Sequence, residues 1–456
     1  MINEATFRYV LQHANDDIRM LALRGCKDPQ VDLTLALQQI QGRQTARRKL
    51  PTWAAIDGIV YPPHLNMEQC SSELTARYKK ELAEGLQASE QPAEAPGQQQ
   101  RLRNAVEKER LILIERTAYS HRKNGLFSQK ERLIVPGRRK LLDLTGGLGV
   151  DFSFMAGAFD EAVYVERDPN LCELAAHNLK LLGTKKAGIV CTDAGDYLKS
   201  ADFADASPYT LIFADPARRD SHGARTYALA DCTPDVTTMM DELLRCSCHV
   251  LLKLSPMLDW RKAVADLAPH HVQEVHIVAV DNECKELLLL LTRETSDTQQ
   301  TEPCLICTDI HSRDGSRTVY RPSPSCPVDC DIVAVSSAQY LYEPNAAVMK
   351  AGCFRELAAD FNTAQLAPNS HLFTSSAPVK DFPGRSFHIT AIATMNKRDL
   401  RSTLGHLKTA NISVRNFPLS AEKLRQRLKL ADGGTDYIFA TTLSNGDHII
   451  MLCTKL

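Results

Sequence analysis

The 456-residue chain has no apolar run long enough to cross a bilayer: its longest, Leu287 to Leu291, falls far short of the roughly 20 residues required. Its first residues, MINEATFRYVLQHANDD, lack the basic stretch followed by an apolar core that marks a signal peptide, so a cytoplasmic protein is expected. Charge of one sign is also missing. With 54 basic and 55 acidic residues, the net charge of −1 neither requires nor excludes a nucleic-acid partner, which needs only a local basic face. A disulfide framework is not expected either: the 14 cysteines come with no secretory signal, and Cys172, Cys191 and Cys284 sit inside apolar patterns, where thiols act as small buried hydrophobes. No internal repeat is visible. What is present, 44% hydrophobic and 24% charged residues, is the composition of a globular protein with room for two to four domains.

Residues 1 to about 85 read as helical, with Leu33, Leu37 and Ile40, then Leu74, Tyr78, Leu82 and Leu86, at helical spacing. The polar stretch 87–100 reads as a linker, and a second helical run is expected over 102–119; together they make an N-terminal helical region, 1–120. From Lys140 the pattern becomes short apolar runs alternating with amphipathic stretches: KLLDLT, AVYVE, AGIVCT, TLIFAD and HVLLKL. Such runs predict parallel strands covered on both faces. VQEVHIVAV (272–280) and KELLLLLT (285–292) then lie too close together for a crossover helix and predict an antiparallel hairpin. Five parallel strands closed by a hairpin make a seven-stranded Rossmann-like α/β sheet of the class I methyltransferase kind over 121–294. A small unit with a hairpin at Asp314-Gly315 is expected over 295–337, a connecting segment over 338–385 and a separate α/β domain over 386–456.

The chemistry starts at LLDLTGGLGVDF, where Asp143 ends the first strand and Thr145, Gly146, Gly147 and Gly149 form a turn before a helix. Glycines serve there because the turn is tight and a ligand must approach bare backbone. Glu166, with Arg167 next to it, ends the second strand, where a carboxylate binds ribose hydroxyls; Asp193, before Ala194, ends the third and is placed to accept from an adenine amino group. The TGGLG loop lacks the GxGxxG spacing of NAD sites. A cofactor bearing an ammonium and no pyrophosphate, S-adenosylmethionine (AdoMet), suits this loop and its acids.

The fourth strand ends in Asp215-Pro216-Ala217-Arg218-Arg219. Asp215 is placed to accept a hydrogen bond from an attacking amine or hydroxyl, Pro216 to shape the loop, and Arg218 or Arg219 to hold a phosphate. The alternative is a structural turn with solvated arginines. Amino-group methyltransferases carry Asp/Asn-Pro-Pro-aromatic here, so Ala217 and Arg218 argue against base stacking in that mode. Methylation at pyrimidine carbon 5 needs a cysteine nucleophile, and none follows Pro216; Ser255 occupies the fifth-strand position, while Cys246 and Cys248 precede that strand. Asp215, Lys253 and Glu274 match three members of a Lys-Asp-Lys-Glu set used for ribose 2′-oxygen methylation, with Lys79 or Lys123 as fourth. Lys253 as a sheet-edge partner of Asp215 is the competing reading.

Two further clusters stay open. Cys304, Cys307, Cys326 and Cys330 invite a zinc site, but a strand through 304–307 would alternate its thiols across two faces, so no metal is expected. Arg43, Arg47, Arg48 and Lys49 beside Trp53 either track RNA backbone or simply end a helix before Pro51.

With DLTGGLGVD, YVERDP, DPARR, KLSPMLD and NECKELL read in order, the chain resembles a group of bacterial class I methyltransferases carrying a C-terminal THUMP-like domain and a small ferredoxin-like insert. EQCSSELTARYK (68–79), YLYEPNAAVMKAG (340–352), SHLFTS (370–375) and FPGRSFHI (382–389) extend the resemblance over nearly the whole chain. It implies AdoMet as cofactor, a ferredoxin-like unit at 295–337, a THUMP-like domain at 386–456, and structured RNA, tRNA or rRNA, as partner. A methyltransferase acting on a small molecule or protein, and an RNA-binding protein keeping AdoMet as a structural ligand, are the alternatives.

Overall fold

Asn3, Asp17 and Asp32 open the first three helices, Glu4–Gln12, Ile18–Arg24 and Leu33–Lys49, each side chain accepting from the amide three residues on. In the computed structural model, the described residues are 2–89, 139–184, 187–200, 203, 209–218, 229–293, 302–324 and 338–456. The helical run expected at 102–119 and the candidate residues Lys123, Arg219, Cys326 and Cys330 lie outside them. The chain divides into two units, Met1–Asp215 with Asp241–Val250, and Pro216–Met240 with Leu251–Leu456.

In the first unit the N-terminal helices continue with Pro51–Ala54, His64–Gln69 and Glu73–Ser89. The last of these takes in residues 87–89, which the sequence reading gave to the linker. Four strands follow: β1 (Lys140–Asp143), β2 (Glu161–Glu166), β3 (Ala187–Cys191) and β4 (Tyr209–Ala214). All are parallel, in the order β3-β2-β1-β4, and every residue of β4 is buried. The described part of the N-terminal helical region packs onto this sheet's glycine turn. Trp53, Met67 and Ala76 share a core with Leu148 of the glycine turn and Val150, the first residue of the helix after it. The Asn178 amide exchanges two hydrogen bonds with the Val60 backbone, at 2.9 and 2.8 Å.

The second unit opens with a two-stranded antiparallel ribbon, β5 (Ala217–Arg218) against β6 (Cys232–Thr233). Strand β7 (Ser247–Leu254) has its first four residues in the first unit and its last four in the second. Strands β8 (Val272–Val280) and β9 (Glu283–Thr292) form the expected antiparallel hairpin. Asp281 and Asn282, both at positive φ (50° and 64°), supply its two-residue turn, a conformation that Asn and Asp tolerate better than other side chains.

The small unit expected at 295–337 is not independent. β10 (Cys304–Ile310) pairs in parallel with β8 along its whole length, and β11 (Arg317–Tyr320) folds back on β10. Two strands are thereby added beyond the β8–β9 hairpin. The Asp314-Gly315 turn is as expected, with Gly315 at φ +73°.

The tail also departs from expectation. Its strands β15 (Gly384–Thr394), β16 (Asn411–Arg415), β17 (Asp436–Thr442) and β18 (His448–Lys455) share one sheet with β12 (Tyr340–Pro344), β13 (Ala364–Gln365) and β14 (Phe373–Ser375). Residues 338–385 are therefore part of this seven-stranded sheet, through the pairing of Tyr340–Pro344 with Gly384–His388, and not a connector. Helices Lys397–Leu404 and Ala421–Leu428 cover one face through Leu404 and Leu424. No described helix is long and apolar enough to cross a membrane.

Candidate active site

The glycine turn joins β1 to helix Val150–Met155. Gly147 and Gly149 have φ of +54° and +79°, a region costly for any residue with a Cβ. Gly146 is required for space: a Cβ there would lie 2.1 Å from Cε2 of Tyr164. Tyr164, fully buried on β2, fills the underside of the turn and donates its hydroxyl hydrogen to the Gly147 carbonyl. The motif reading missed this aromatic ring, although its position two residues before Glu166 was a usable signal.

Glu166 closes the turn from the second strand, its Oε2 accepting from Gly147 N at 2.8 Å and its Oε1 from Asp168 N at 2.9 Å. Arg167 beside it is exposed. Asp143 is 1% exposed and accepts from Thr145 N at 3.0 Å. Burial holds its carboxyl well above the usual carboxylate range, opposed by the Thr145 amide and reinforced by the charges of Asp151, Asp215 and Glu166. Thr145 in turn accepts from Asp215 N at 2.6 Å, tying the end of β4 to the turn. Asp193 is exposed and caps helix Ala194–Leu198, accepting from Gly195 N at 2.8 Å, with Ala194 buried behind it. The turn thus brings Asp143, Glu166 and Asp215 together, with Asp193 at the end of the strand next to β2.

Asp151, in the first turn of the helix after the glycines, has its own buried partner. Lys79 is fully buried, with Nζ 3.1 Å from Asp151 Oδ1, and Ser71 Oγ donates to Asp151 Oδ2 at 2.7 Å. This geometry pairs Lys79 with the first turn of the helix that follows the glycines. Lys79 and Ser71 both belong to EQCSSELTARYK, so this motif is explained by its contact with the turn.

Beyond Asp215 the chain enters the β5–β6 ribbon, so the segment read as a plain loop is a short strand; Pro216 is buried and Arg218 lies in β5. Lys253 lies one residue before the end of β7 and is partly buried. Glu274 sits on β8, its Oε2 2.8 Å from His276 Nε2 and its backbone in register with Cys304 of β10. Cys304 is partly exposed and Cys307 buried on the same strand. Among the described residues no group of three or more His, Cys, Asp or Glu side chains is arranged to hold a metal ion.

Three of the four basic residues near Trp53 serve internal contacts. Arg43 bonds Asp57 at 2.6 Å, Arg47 bonds Asn15, and Lys49 caps the Met67 carbonyl at 2.9 Å. That favours the helix-ending reading over RNA backbone. NECKELL is likewise structural at its first residue: Asn282 Oδ1 accepts from Ala346 N at 2.7 Å, opening helix Ala346–Ala351. Trp260 Nε1 and Arg261 Nη1 donate to the Ala351 carbonyl at its other end, each at 3.1 Å.

Parallel strands in the order β3-β2-β1-β4, a glycine turn after β1, acids after each of these strands and a later antiparallel hairpin define the fold of a class I methyltransferase. Consistent with this, the chain is similar over its full length, and over the full length of the other chain, to the crystal structure of a "putative methyltransferase" from Porphyromonas gingivalis W83, at 28% identity and a TM-score of 0.73. An AdoMet-dependent methyltransferase from Agrobacterium tumefaciens is similar over 35% of this chain and 57% of its own, at 18% identity and a TM-score of 0.24. Residues 340–383 match a ferredoxin-like domain and residues 384–455 a THUMP-like domain. The ferredoxin-like match lies on β12 to β14, so its expected place at 295–337 is corrected. A comparison with curated proteins finds no match.

Proposed function

We propose that this protein transfers a methyl group from AdoMet to structured RNA, tRNA or rRNA, at a nitrogen or a ribose oxygen. The observation that carries the reading is the convergence of Asp143, Glu166 and Asp215 on one glycine turn. The residues fit the cofactor: a buried acid among further carboxylates suits a ligand carrying an ammonium and a sulfonium, and does not suit a pyrophosphate. Asp143 and the turn at Thr145, Gly146, Gly147 and Gly149 would face its methionine end. Glu166, flanked by Arg167, would take the ribose hydroxyls, and Asp193 and Ala194 the adenine.

When bound, AdoMet supplies an electrophilic methyl on its sulfonium. Asp215 accepts a hydrogen bond from the attacking amine or hydroxyl, raises electron density on that atom and orients it. Thr145 holds Asp215 by its backbone amide, so the acid is placed by the same turn that holds the cofactor. Pro216 shapes the entry to the ribbon, and Arg218 is assigned to a substrate phosphate. Lys253 and Glu274 are assigned from their places in the sequence alone; a lysine helping to deprotonate a hydroxyl would direct the chemistry to a ribose oxygen.

RNA is supported by the tail. Residues 396–430 carry nine lysines and arginines against two acids, in a chain whose net charge is −1. Lys397, Arg398 and Arg401 on one helix, and Lys423, Arg427 and Lys429 on or directly after the other, are all exposed, the arrangement that tracks a phosphate backbone. The THUMP-like match points the same way. The test is labelling of RNA from a strain lacking the gene with methyl-tritiated AdoMet, followed by nucleoside mass spectrometry. One labelled nucleoside is expected. Label in protein or small molecules and none in RNA would replace the RNA reading with the alternative.

A further inference from the structure

Three of the segments that carry the family resemblance, YLYEPNAAVMKAG, SHLFTS and FPGRSFHI, have no part in the methyl-transfer site, yet each sends a polar residue toward one cluster in the tail. Glu343 of β12 is 3% exposed and takes two arginines. Arg385 of β15 donates from Nε to Glu343 Oε2 at 2.8 Å and from Nη2 to the same oxygen. Arg415 of β16 donates to Oε1 from Nη2 at 2.8 Å and from Nε at 3.2 Å. Strands β12 and β16 are separated in the sheet by β15, β18 and β17, so the sheet must curl for Arg415 to reach Glu343. Arg415 also acts on His371 of the third segment: burial first, and the Arg415 charge second, hold the imidazole below the usual histidine range. His371 has positive φ, stacks on Phe354 with ring centroids 4.2 Å apart, and buries an Nδ1 with no hydrogen-bond partner among the described residues.

One carboxylate would be neutralised by one arginine. Two leave the cluster with a net positive charge, and each guanidinium commits only Nε and Nη2 to Glu343. The arginine side chains remain 41% and 35% exposed, with both Nη1 groups outside these bonds. We propose that the outer edges of Arg385 and Arg415 form a binding site for a phosphate group, with Glu343 as the positioning residue that fixes both forks. A phosphate matches the planar donor edges of paired arginines, offers enough acceptors for both, and balances the remaining charge. The ligand is either the 5′-terminal phosphate of an RNA or free phosphate, and the site does not depend on the methyl-transfer reading.

The test is titration of the isotope-labelled full-length protein with inorganic phosphate against chloride at equal ionic strength, following the Arg385 and Arg415 side-chain and His371 imidazole NMR signals. A saturable response to phosphate alone is expected. Arg415→Gln, which leaves Glu343 paired with Arg385 and the cluster neutral, should abolish it. RNAs of one sequence with a 5′-phosphate or a 5′-hydroxyl distinguish the sources. A preference of about fivefold or more for the phosphorylated end marks RNA as the source, and equal binding beside a saturable response to inorganic phosphate marks the free ion. No phosphate response up to about 20 mM with no end preference, or a response unchanged in Arg415→Gln, overturns the proposal. If that variant does not fold, the unmodified protein decides alone.

Discussion

The Glu166 carboxylate accepts the backbone hydrogen of Gly147 at 2.8 Å, so the acid assigned to the ribose also holds the glycine turn in shape. Its second oxygen accepts from Asp168 at 2.9 Å. Glu166→Gln replaces one acceptor with a donor facing a backbone N–H. It should weaken AdoMet binding by roughly 10- to 100-fold, the worth of one or two charge-assisted bonds, measured by calorimetry. Unchanged affinity would remove Glu166 from the site.

Gly146 makes a steric prediction. Alanine would place its Cβ 2.1 Å from the Tyr164 ring, which is fully buried and cannot swing away. Gly146→Ala should destabilise the fold by about 1–3 kcal/mol in thermal unfolding. In a Tyr164→Val background, itself destabilised by the cavity it leaves, the added cost of Gly146→Ala should largely vanish. An undiminished cost would place the strain elsewhere.

Asp143 gives a pH dependence. Its folded carboxyl is raised above the unfolded value, so between the two the folded state holds the extra proton, and this contribution to stability falls as pH rises toward the folded value. A cationic ligand favours the ionised acid. Binding of AdoMet should therefore release a proton, and its affinity should rise with pH until Asp143 ionises without ligand. Calorimetry in buffers of different ionisation heat measures that proton, and Asp143→Asn should abolish the release.

Much of this arrangement was legible in the sequence because strand-end acids and glycines are local signals. Asp143, Gly146, Gly147, Glu166 and Asp215 could be ordered from periodicity alone, and the β8–β9 hairpin from the short gap between its strands. What could not be read was pairing between distant segments. The place of β10 beside β8, and of β12 beside β15, depends on which edges are free in the folded sheet, and an apolar strand does not encode its neighbour. The same holds for Lys79. Its segment looks like an ordinary amphipathic helix, and only the fold shows the ammonium meeting Asp151.

Lys79→Met leaves Asp151 and Ser71 buried without their cation. Loss of one partner from such a pair costs about 3–5 kcal/mol. Denaturant unfolding should show that loss, and Lys79→Met with Asp151→Leu should restore part of it. A neutral single substitution would show that the pair is not the turn's support.

On the basic helices, Lys423→Glu with Arg427→Glu should weaken RNA binding, lower the steepness of its salt dependence by about 2 and leave AdoMet affinity unchanged. An unchanged salt slope would move the RNA surface elsewhere on the chain.

The central claim is that the acid-lined glycine turn holds AdoMet, and calorimetric titration of AdoMet, with NAD as the control, tests it most directly. The account predicts one site with a dissociation constant on the order of micromolar, no comparable binding of NAD, and loss of the site in Gly146→Val. Failure to bind AdoMet at millimolar concentration, or equal affinity for NAD, would contradict it.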